Sequence, residues 1–211
     1  MGKTETYLYR KSIKMKITKE IFNNAMDFET YDKHVKELFA QGKTTGDNQT
    51  SNYIYFTKLG IQRLKRGLKT TTLISKVIGT LNKTKAINWL VISEAWCGDA
   101  VNIIPSIVKM AEADKKISLK IILRDENPEI MNRFLTNGTR AIPIVIFLDD
   151  HFNELANWGA RPKPAQQIVI AHKENPVKSF DEVKVDLQKW YIQDKGQTVQ
   201  LEFSDILESF E

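Results

Sequence analysis

Residues 87–113, INWLVISEAWCGDAVNIIPSIVKMAEA, decide the fold of this 211-residue chain. The run Ile87–Ser93 is short and apolar, which is typical of a strand buried on both faces. Val101–Ala113 then has apolar residues at helical spacing. Cys97 is therefore predicted at a helix N-terminus, just after the carboxyl end of a strand. Ligands and catalytic groups collect at this position in open α/β sheets.

The predicted position of Cys97 favours a reactive thiol. Unpaired N–H groups and the positive end of the helix dipole stabilise a thiolate there, and Gly98 lets the backbone stay close to the sulfur. Asp99 places a carboxylate within two residues of the sulfur, which opposes a thiolate, although an acid also suits the first turn of a helix. Asp99 and Glu94 are candidate catalytic groups beside Cys97. Glu94 could aim at the site, although we favour a solvated charge for it.

The segment after residue 113 continues the alternation of strands and helices. Apolar runs predict strands at Leu119–Leu123, Ile142–Leu148 and Phe152–Trp158, and Asp149-Asp150 is turn chemistry for a hairpin. Helical spacing appears at Pro128–Leu135, Ala165–His172, Phe180–Trp190 and Phe203–Phe210. This order predicts an α/β fold whose first two strands are parallel and whose last two are antiparallel.

The first part of the chain, residues 17–83, is predicted to be all-helical. Two helices with a break near Asp27–Thr30 precede a polar loop at Gly42–Ser51, and further helices are expected at Asn52–Gly67 and Thr70–Leu81. The helix over 52–67 should bury an apolar stripe made of Ile54, Phe56, Leu59, Ile61, Leu64 and Leu68. No flexible linker precedes Ile87, so we expect this region to pack on the α/β core as a cap.

Composition excludes several classes of protein. Apolar residues make up 42% and charged residues 27% of the chain, so a disordered or fibrous protein is not expected. No apolar run approaches the ~18 residues of a membrane span. The single cysteine excludes an intramolecular disulfide and a multi-cysteine zinc site, and with three scattered histidines we expect no metal. The N-terminus lacks an apolar signal region, which predicts a cytoplasmic protein.

Charge is distributed unevenly along the chain. Residues 1–86 carry 17 Lys and Arg against 7 Asp and Glu, whereas residues 87–211 carry 14 against 19. A basic half can be a solvated helical face or can contact an acidic partner. The aromatic residues of Tyr53–Lys69 lie at helix-core spacing, which favours packing over a nucleic-acid surface. We therefore consider a protein partner at the basic helical half and do not expect nucleic acid.

Five motifs together resemble the thioredoxin superfamily. Trp96-Cys97-Gly98 after the first strand is similar to that family's Trp-Cys-Gly-Pro-Cys, with Pro105 at the position of its helix-kinking proline. The other similar segments are Asp125-Glu126-Asn127-Pro128, Ile142-Pro143 at the place of the family's cis-proline, and Trp158-Gly159-Ala160. The resemblance covers about residues 87–175 and implies a thioredoxin-like fold. The variant Trp-Cys-Gly-Asp-Ala resembles a bacterial subgroup of the family.

The chain departs from this family at two positions that matter for its chemistry. Ala100 stands where the family has its second cysteine, so it cannot resolve a mixed disulfide. Val91 stands where the family has a buried acid, which removes the usual internal proton acceptor. The dithiol reductase mechanism is therefore excluded for the isolated chain.

Two hypotheses for function remain. In the first, Cys97 is the nucleophile of a monothiol oxidoreductase or redox sensor, and glutathione or a protein supplies the resolving thiol. The resemblance implies that Pro143 presents the backbone of Ile142 to an extended substrate and that Trp96 forms an apolar wall. In the second, Cys97 is inert and the Trp96/Pro143 groove belongs to a non-catalytic peptide-binding or protein-binding module.

These predictions divide the chain into three parts. A helical N-terminal extension at 1–84 packs on the core, a thioredoxin-like core with a central mixed sheet flanked by helices covers 85–178, and a C-terminal helical segment covers 179–211.

Overall fold

A computed structural model describes residues 16–210 of the chain. Residues 1–15, which carry most of the argument against a secretory signal, lie outside the described residues. Within the described part, no helix combines the length and the apolar character needed to cross a membrane.

The centre of the molecule is a four-stranded mixed sheet. Its strands are β1 (Ile87–Ser93), β2 (Ile117–Leu123), β3 (Ile144–Leu148) and β4 (Glu154–Gly159), in the order β2-β1-β3-β4. β1 pairs in parallel with β2, whereas β3 pairs antiparallel with both β1 and β4. The predicted fold class, a mixed α/β sheet flanked by helices with a helical N-terminal region, is confirmed.

Helices precede, separate and follow the strands. Their bounds are α1 (Lys19–Asn24), α2 (Phe28–Ala40), α3 (Ser51–Thr70), α4 (Ser75–Lys83), α5 (Gly98–Ala113), α6 (Pro128–Met131), α7 (Lys163–Glu174), α8 (Phe180–Asp194) and α9 (Gln197–Glu208). The break between α1 and α2 includes Met26, whose backbone N–H and C=O both pair with Ile121 of β2. The extension thereby covers part of the free edge of the sheet, which protects an edge strand from unwanted pairing.

An aromatic cluster joins the sheet to the last helix. Trp89 of β1 stands opposite Phe147 of β3, and both rings pack edge-to-face against Phe203 of α9. All three side chains are fully buried. Large buried aromatic residues contribute strongly to stability, so α9 is part of the main core and not an appended tail.

The predicted buried stripe of α3 is wrong in detail. The buried residues of this helix are Thr57, Gly60 and Leu64, whereas Phe56 is 37% exposed. A Cβ atom at Gly60 would lie 2.7 Å from the carbonyl oxygen of Ala95, and one at Gly67 would lie 2.5 Å from Pro105 Cγ. The helix therefore approaches the core through small residues, which a search for large apolar side chains passes over.

The helix predicted at Thr70–Leu81 begins only at Ser75. The side chain of Gln200 in α9 accepts a hydrogen bond from Ile74 N–H at 2.9 Å and donates one to the Thr72 carbonyl at 3.0 Å. These bonds satisfy the backbone in an extended connection, so residues 71–74 do not need helical bonds. The partner is 126 or more positions away, and local spacing contains no sign of it.

Candidate active site and binding cleft

Cys97 occupies the N-cap of α5, directly after β1 and a short turn. Its sulfur accepts a hydrogen bond from the Ala100 N–H at 3.5 Å, and its S–H donates to the carbonyl oxygen of Ile142 at 3.3 Å. The Ile142–Pro143 peptide bond is cis. The structure thus brings Cys97, Ile142 and Pro143 together, although they are more than 40 residues apart in sequence.

The surroundings of Cys97 favour the protonated thiol. The residue is only 8% exposed, and burial raises the pKa of the thiol to about 12, with the charge of Asp99 acting in the same direction. The Ala100 and Asp99 amides and the Arg161 guanidinium act in the opposite direction and are outweighed. Since a thiolate is the reactive form of cysteine, the resting site holds an unactivated thiol.

Asp99 belongs to a compact charged cluster beside the thiol. Its carboxylate lies 2.6 Å from Arg161 Nη2 and accepts a hydrogen bond from Tyr191 Oη at 2.9 Å. Both charged side chains are largely buried. Burial disfavours the charge of Arg161, but Asp99 outweighs this effect and raises the pKa of the guanidinium. Burial and the same carboxylate raise the pKa of Tyr191 well above its usual range. Asp99 therefore forms an ion pair with Arg161 and is also an acidic residue in the first turn of α5.

The expectation of a solvated Glu94 is wrong. This side chain is 0% exposed, and its Oε1 accepts a hydrogen bond from the Asp125 N–H at 2.9 Å. Burial raises the pKa of the Glu94 carboxyl, partly offset by the Thr45 hydroxyl and the Asp125 amide. The residue follows β1 directly, and the loop of the N-terminal extension around Thr45 and Gly46 covers it. Sequence spacing could not reveal this cover, because the loop comes from 50 residues earlier.

Trp96 stands between the core and the extension. Its ring packs against Tyr53 of α3 with 4.8 Å between centroids, and the Arg124 guanidinium lies over the ring at 4.7 Å. Gly98 lies next to it, at the first position of α5, with open space where a side chain would begin.

A cleft of about 680 Å³ opens beside these residues, and we call it the Cys97 cleft. Its floor comes from the core and includes Cys97, Asp99 and Ile142, while its walls come from α3, through Phe56 and Arg63, and from α8, through Leu187 and Tyr191. A concave, mostly apolar site of this size with a few polar groups is typical of ligand binding. The helical segments that precede and follow the core in the sequence therefore both take part in the site.

The cleft includes residues that sequence reasoning missed. Arg161 directly follows the Trp158-Gly159-Ala160 segment, so its closeness to a recognised motif was the one available signal. Arg63 and Tyr191 belong to no motif of their own. Among residues 16–210, no group of three or more His, Cys, Asp or Glu side chains is placed to hold a metal ion.

Comparisons with known proteins agree with the fold. A family model described as Thioredoxin matches residues 46–177, whereas no curated protein is significantly similar in sequence. The crystal structure of an HIV epitope scaffold is 19% identical with a TM-score of 0.61, covering 92% of this chain and 99% of that chain. A protein of unknown function from Pseudomonas aeruginosa is 18% identical with a TM-score of 0.57, at the same coverage. Likeness at these identities concerns the fold alone.

Proposed function

This chain belongs to the thioredoxin family, and on that premise we propose that it is a binding module that holds an extended peptide in the Cys97 cleft. The single observation that carries the proposal is the cleft itself. Two helices from outside the core, α3 and α8, complete its walls. A catalytic thiol needs activation as well as access, whereas a binding site needs walls and a fixed floor. The cleft supports the second role, because helices form its walls and the core forms its floor.

The state of the thiol supports binding over catalysis. Burial raises the pKa of the thiol to about 12, which favours the unreactive protonated form near neutral pH. Ala100 replaces the cysteine that would resolve a mixed disulfide. In the binding module, the protonated thiol fixes the Ile142 carbonyl through its hydrogen bond.

The backbone before β3 supports an extended ligand. Ala141 and Ile142 line the cleft and precede the first paired residue of β3, Ile144. A peptide in this position can add to the backbone as a strand does, while its side chains contact the walls. Tyr53 and Trp96 then offer rigid aromatic surfaces to those side chains.

A second candidate function is a monothiol oxidoreductase or redox sensor. It is favoured by the N-cap position of Cys97, where the Ala100 N–H points at the sulfur. A Cys97 thiolate would attack a disulfide, form a mixed disulfide and release one thiolate, and an external thiol such as glutathione would then attack the mixed disulfide and free Cys97. This candidate requires a change that lowers the pKa of the thiol.

Location and partners are also part of the proposal. The lone thiol favours a reducing cytoplasm, and the Trp-Cys-Gly-Asp-Ala motif favours the bacterial subgroup that it resembles. A protein or a small thiol is the expected partner, with neither a membrane nor a nucleic acid involved.

Filling the cleft tests the binding module. Gly98→Leu places a side chain into open space within the cleft, and Gly79→Leu is a matched control because Gly79 in α4 is equally unobstructed. We expect calorimetric titration with an extended probe peptide, Ac-Leu-Glu-Val-Glu-Leu-NH₂, to show binding to the wild type and Gly79→Leu and at least tenfold weaker binding to Gly98→Leu. Equal binding by all three proteins would contradict the proposed site.

The pH dependence of Cys97 alkylation in the folded protein separates the two candidates. The binding module predicts slow alkylation near neutral pH and peptide binding that survives Cys97→Ser. A thiol pKa clearly below ~8.5, with transfer activity on glutathionylated substrates that Cys97→Ser abolishes, would establish the oxidoreductase instead.

A further inference from the structure

We infer that the peptide held in the Cys97 cleft is acidic, and that cations of the helical segments select it together with cations of the core. This inference rests on the proposed binding function and names the class of ligand. It concerns residues of α3 and α8 as much as the core.

Positive charge dominates the lining of the cleft. Six cationic side chains line it, against the two carboxylates of Asp99 and Asp181; the cations are Arg63, Arg124, Arg140, Arg161, Lys184 and Lys189. Low-dielectric walls that carry one sign of charge concentrate the field within a cleft. The local charge therefore favours an anionic occupant.

Internal partners neutralise only part of this charge. Arg161 pairs with Asp99, Lys184 with Asp181 at 2.8 Å, Arg124 with Asp125 at 2.8 Å, and Lys189 with Asp186 at 3.8 Å. Within the described part of the chain, the structure shows no ion pair for Arg63 or Arg140. Arg140 Nε donates a hydrogen bond to the neutral Asn132 side chain at 2.8 Å. The positive charge of each arginine, one in the extension and one in the core, is therefore available to a ligand.

Arg63 shows the clearest need for a partner. It is partly buried in α3, and this burial lowers the pKa of its guanidinium. A cation that loses solvent without gaining an anion costs free energy. A ligand carboxylate would offset that cost and can form a bidentate pair with the guanidinium.

Apolar side chains line the cleft together with the cations. Phe56, Val185 and Ile192 line the cleft and are 37%, 53% and 53% exposed. The side chains of an extended peptide alternate between two faces at each residue. A sequence that alternates acidic and apolar residues can therefore pair with the arginines and cover the apolar wall at the same time.

A pair of peptides that differ only in charge tests the inference. The probes are Ac-Leu-Glu-Val-Glu-Leu-NH₂ and its twin with Gln at both Glu positions, titrated calorimetrically into the full chain at low salt, with glutathione as a third ligand. We expect the Glu peptide to bind about tenfold more tightly than the Gln peptide, and this preference to shrink as salt is raised. Glutathione should bind more weakly than the Glu peptide.

Variants that each remove one positive charge show which residues cause the preference for the Glu peptide. Arg63→Gln and Arg140→Gln should each lower the preference for the Glu peptide about threefold or more. Lys65→Gln removes the same charge from an exposed position of α3 outside the cleft lining and should leave the preference unchanged. Arg140 is itself exposed, so its variant tests the inference even where Arg63→Gln lowers stability.

The outcomes distinguish the two proposals. Equal binding of both peptides would overturn the acidic preference and leave the binding module standing. Binding of neither peptide would overturn both. Tighter binding of glutathione than of the Glu peptide, or an equal loss of preference in Lys65→Gln, would also overturn the inference.

Discussion

Two acidic residues stand on either side of Cys97 in the sequence, and the structure treats them in opposite ways. Asp99, on the cleft side, contacts Arg161 at 2.6 Å and Tyr191 at 2.9 Å. Glu94, on the covered side, is completely buried, and the nearby Arg124 forms its ion pair with Asp125 instead. Asp99 forms an ion pair, whereas burial raises the pKa of Glu94.

The comparison shows that the partner and the cover of an acid decide its role more than its distance from the cysteine in sequence. On the cleft side, a fixed ion pair holds the chain after β4 against the first turn of α5. On the covered side, a loop of the extension excludes water from the carboxyl. The four predictions that follow test this difference.

The largest effect is expected from breaking the ion pair on the cleft side. Arg161→Gln leaves the Asp99 carboxylate largely buried without a counter-ion, which should lower the free energy of unfolding by about 3 kcal/mol. Denaturant titration measures this change. The double variant Asp99→Asn/Arg161→Gln should recover part of the loss, and a purely additive result would show that the pair is not coupled.

Gly46→Ala should disrupt the loop that covers Glu94. Gly46 has a φ of +78°, and an added Cβ would overlap the Asp125 carboxylate and lie 3.3 Å from Glu94 Oε2. We expect a loss of about 2 kcal/mol in unfolding free energy, from backbone strain together with this overlap. Gly42→Ala is the control, since its φ is +72° but the space around it is open; it should lose only about 1 kcal/mol. Equal losses would mean that the cover over Glu94 is loose.

Asp99→Asn tests the cleft side through the reactivity of the Cys97 thiol. The charge of Asp99 is the second cause, after burial, of the raised pKa of Cys97. Its removal also leaves Arg161 positive beside the sulfur. Alkylation of the folded variant at pH 8 should therefore be roughly tenfold faster than that of the wild type. An unchanged rate would show that burial alone controls the thiol.

Glu94→Gln should give the smallest effect, with a characteristic dependence on pH. The folded state raises the pKa of Glu94, so its favourable contribution is present below the unfolded value, near 4.5, and is lost as pH rises through the folded value. The variant stays neutral and should match the wild type at pH 4, then become relatively more stable toward pH 8. Denaturant titrations across this range measure the difference, and a constant offset would contradict a titrating Glu94.

The strands could be predicted from the sequence because their signal is local. Ile87–Ser93 is a short, mostly apolar run, and β1 has the same bounds. The helix break near Asp27 was also visible, because Asp27 caps α2 through its own side chain. Fold class followed from the order of such elements.

The predictions that were wrong concern features that depend on residues far away in the sequence. The extended connection before α4 needs Gln200, the inner face of α3 needs glycines that fit against Ala95 and Pro105, and the burial of Glu94 needs a loop from the extension. Asp99 follows β1 and Arg161 follows β4, so the arrangement of the strands in the sheet brings them together. Spacing within one element cannot report contacts of this kind, and they account for most of the site.

The Gln200 bonds to the connection before α4 also bear on how the chain is made. Synthesis proceeds from the N-terminus, and domains generally fold as they emerge. Here the helical N-terminal region is made first, but the hydrogen-bond partner of the Ile74 N–H and the Thr72 carbonyl is Gln200 in α9. Phe203 of the same helix packs against Trp89. The first half therefore completes its packing only after the last helix has left the ribosome, and a chain that stalls before α9 exposes the face of the sheet around Trp89 and Phe147.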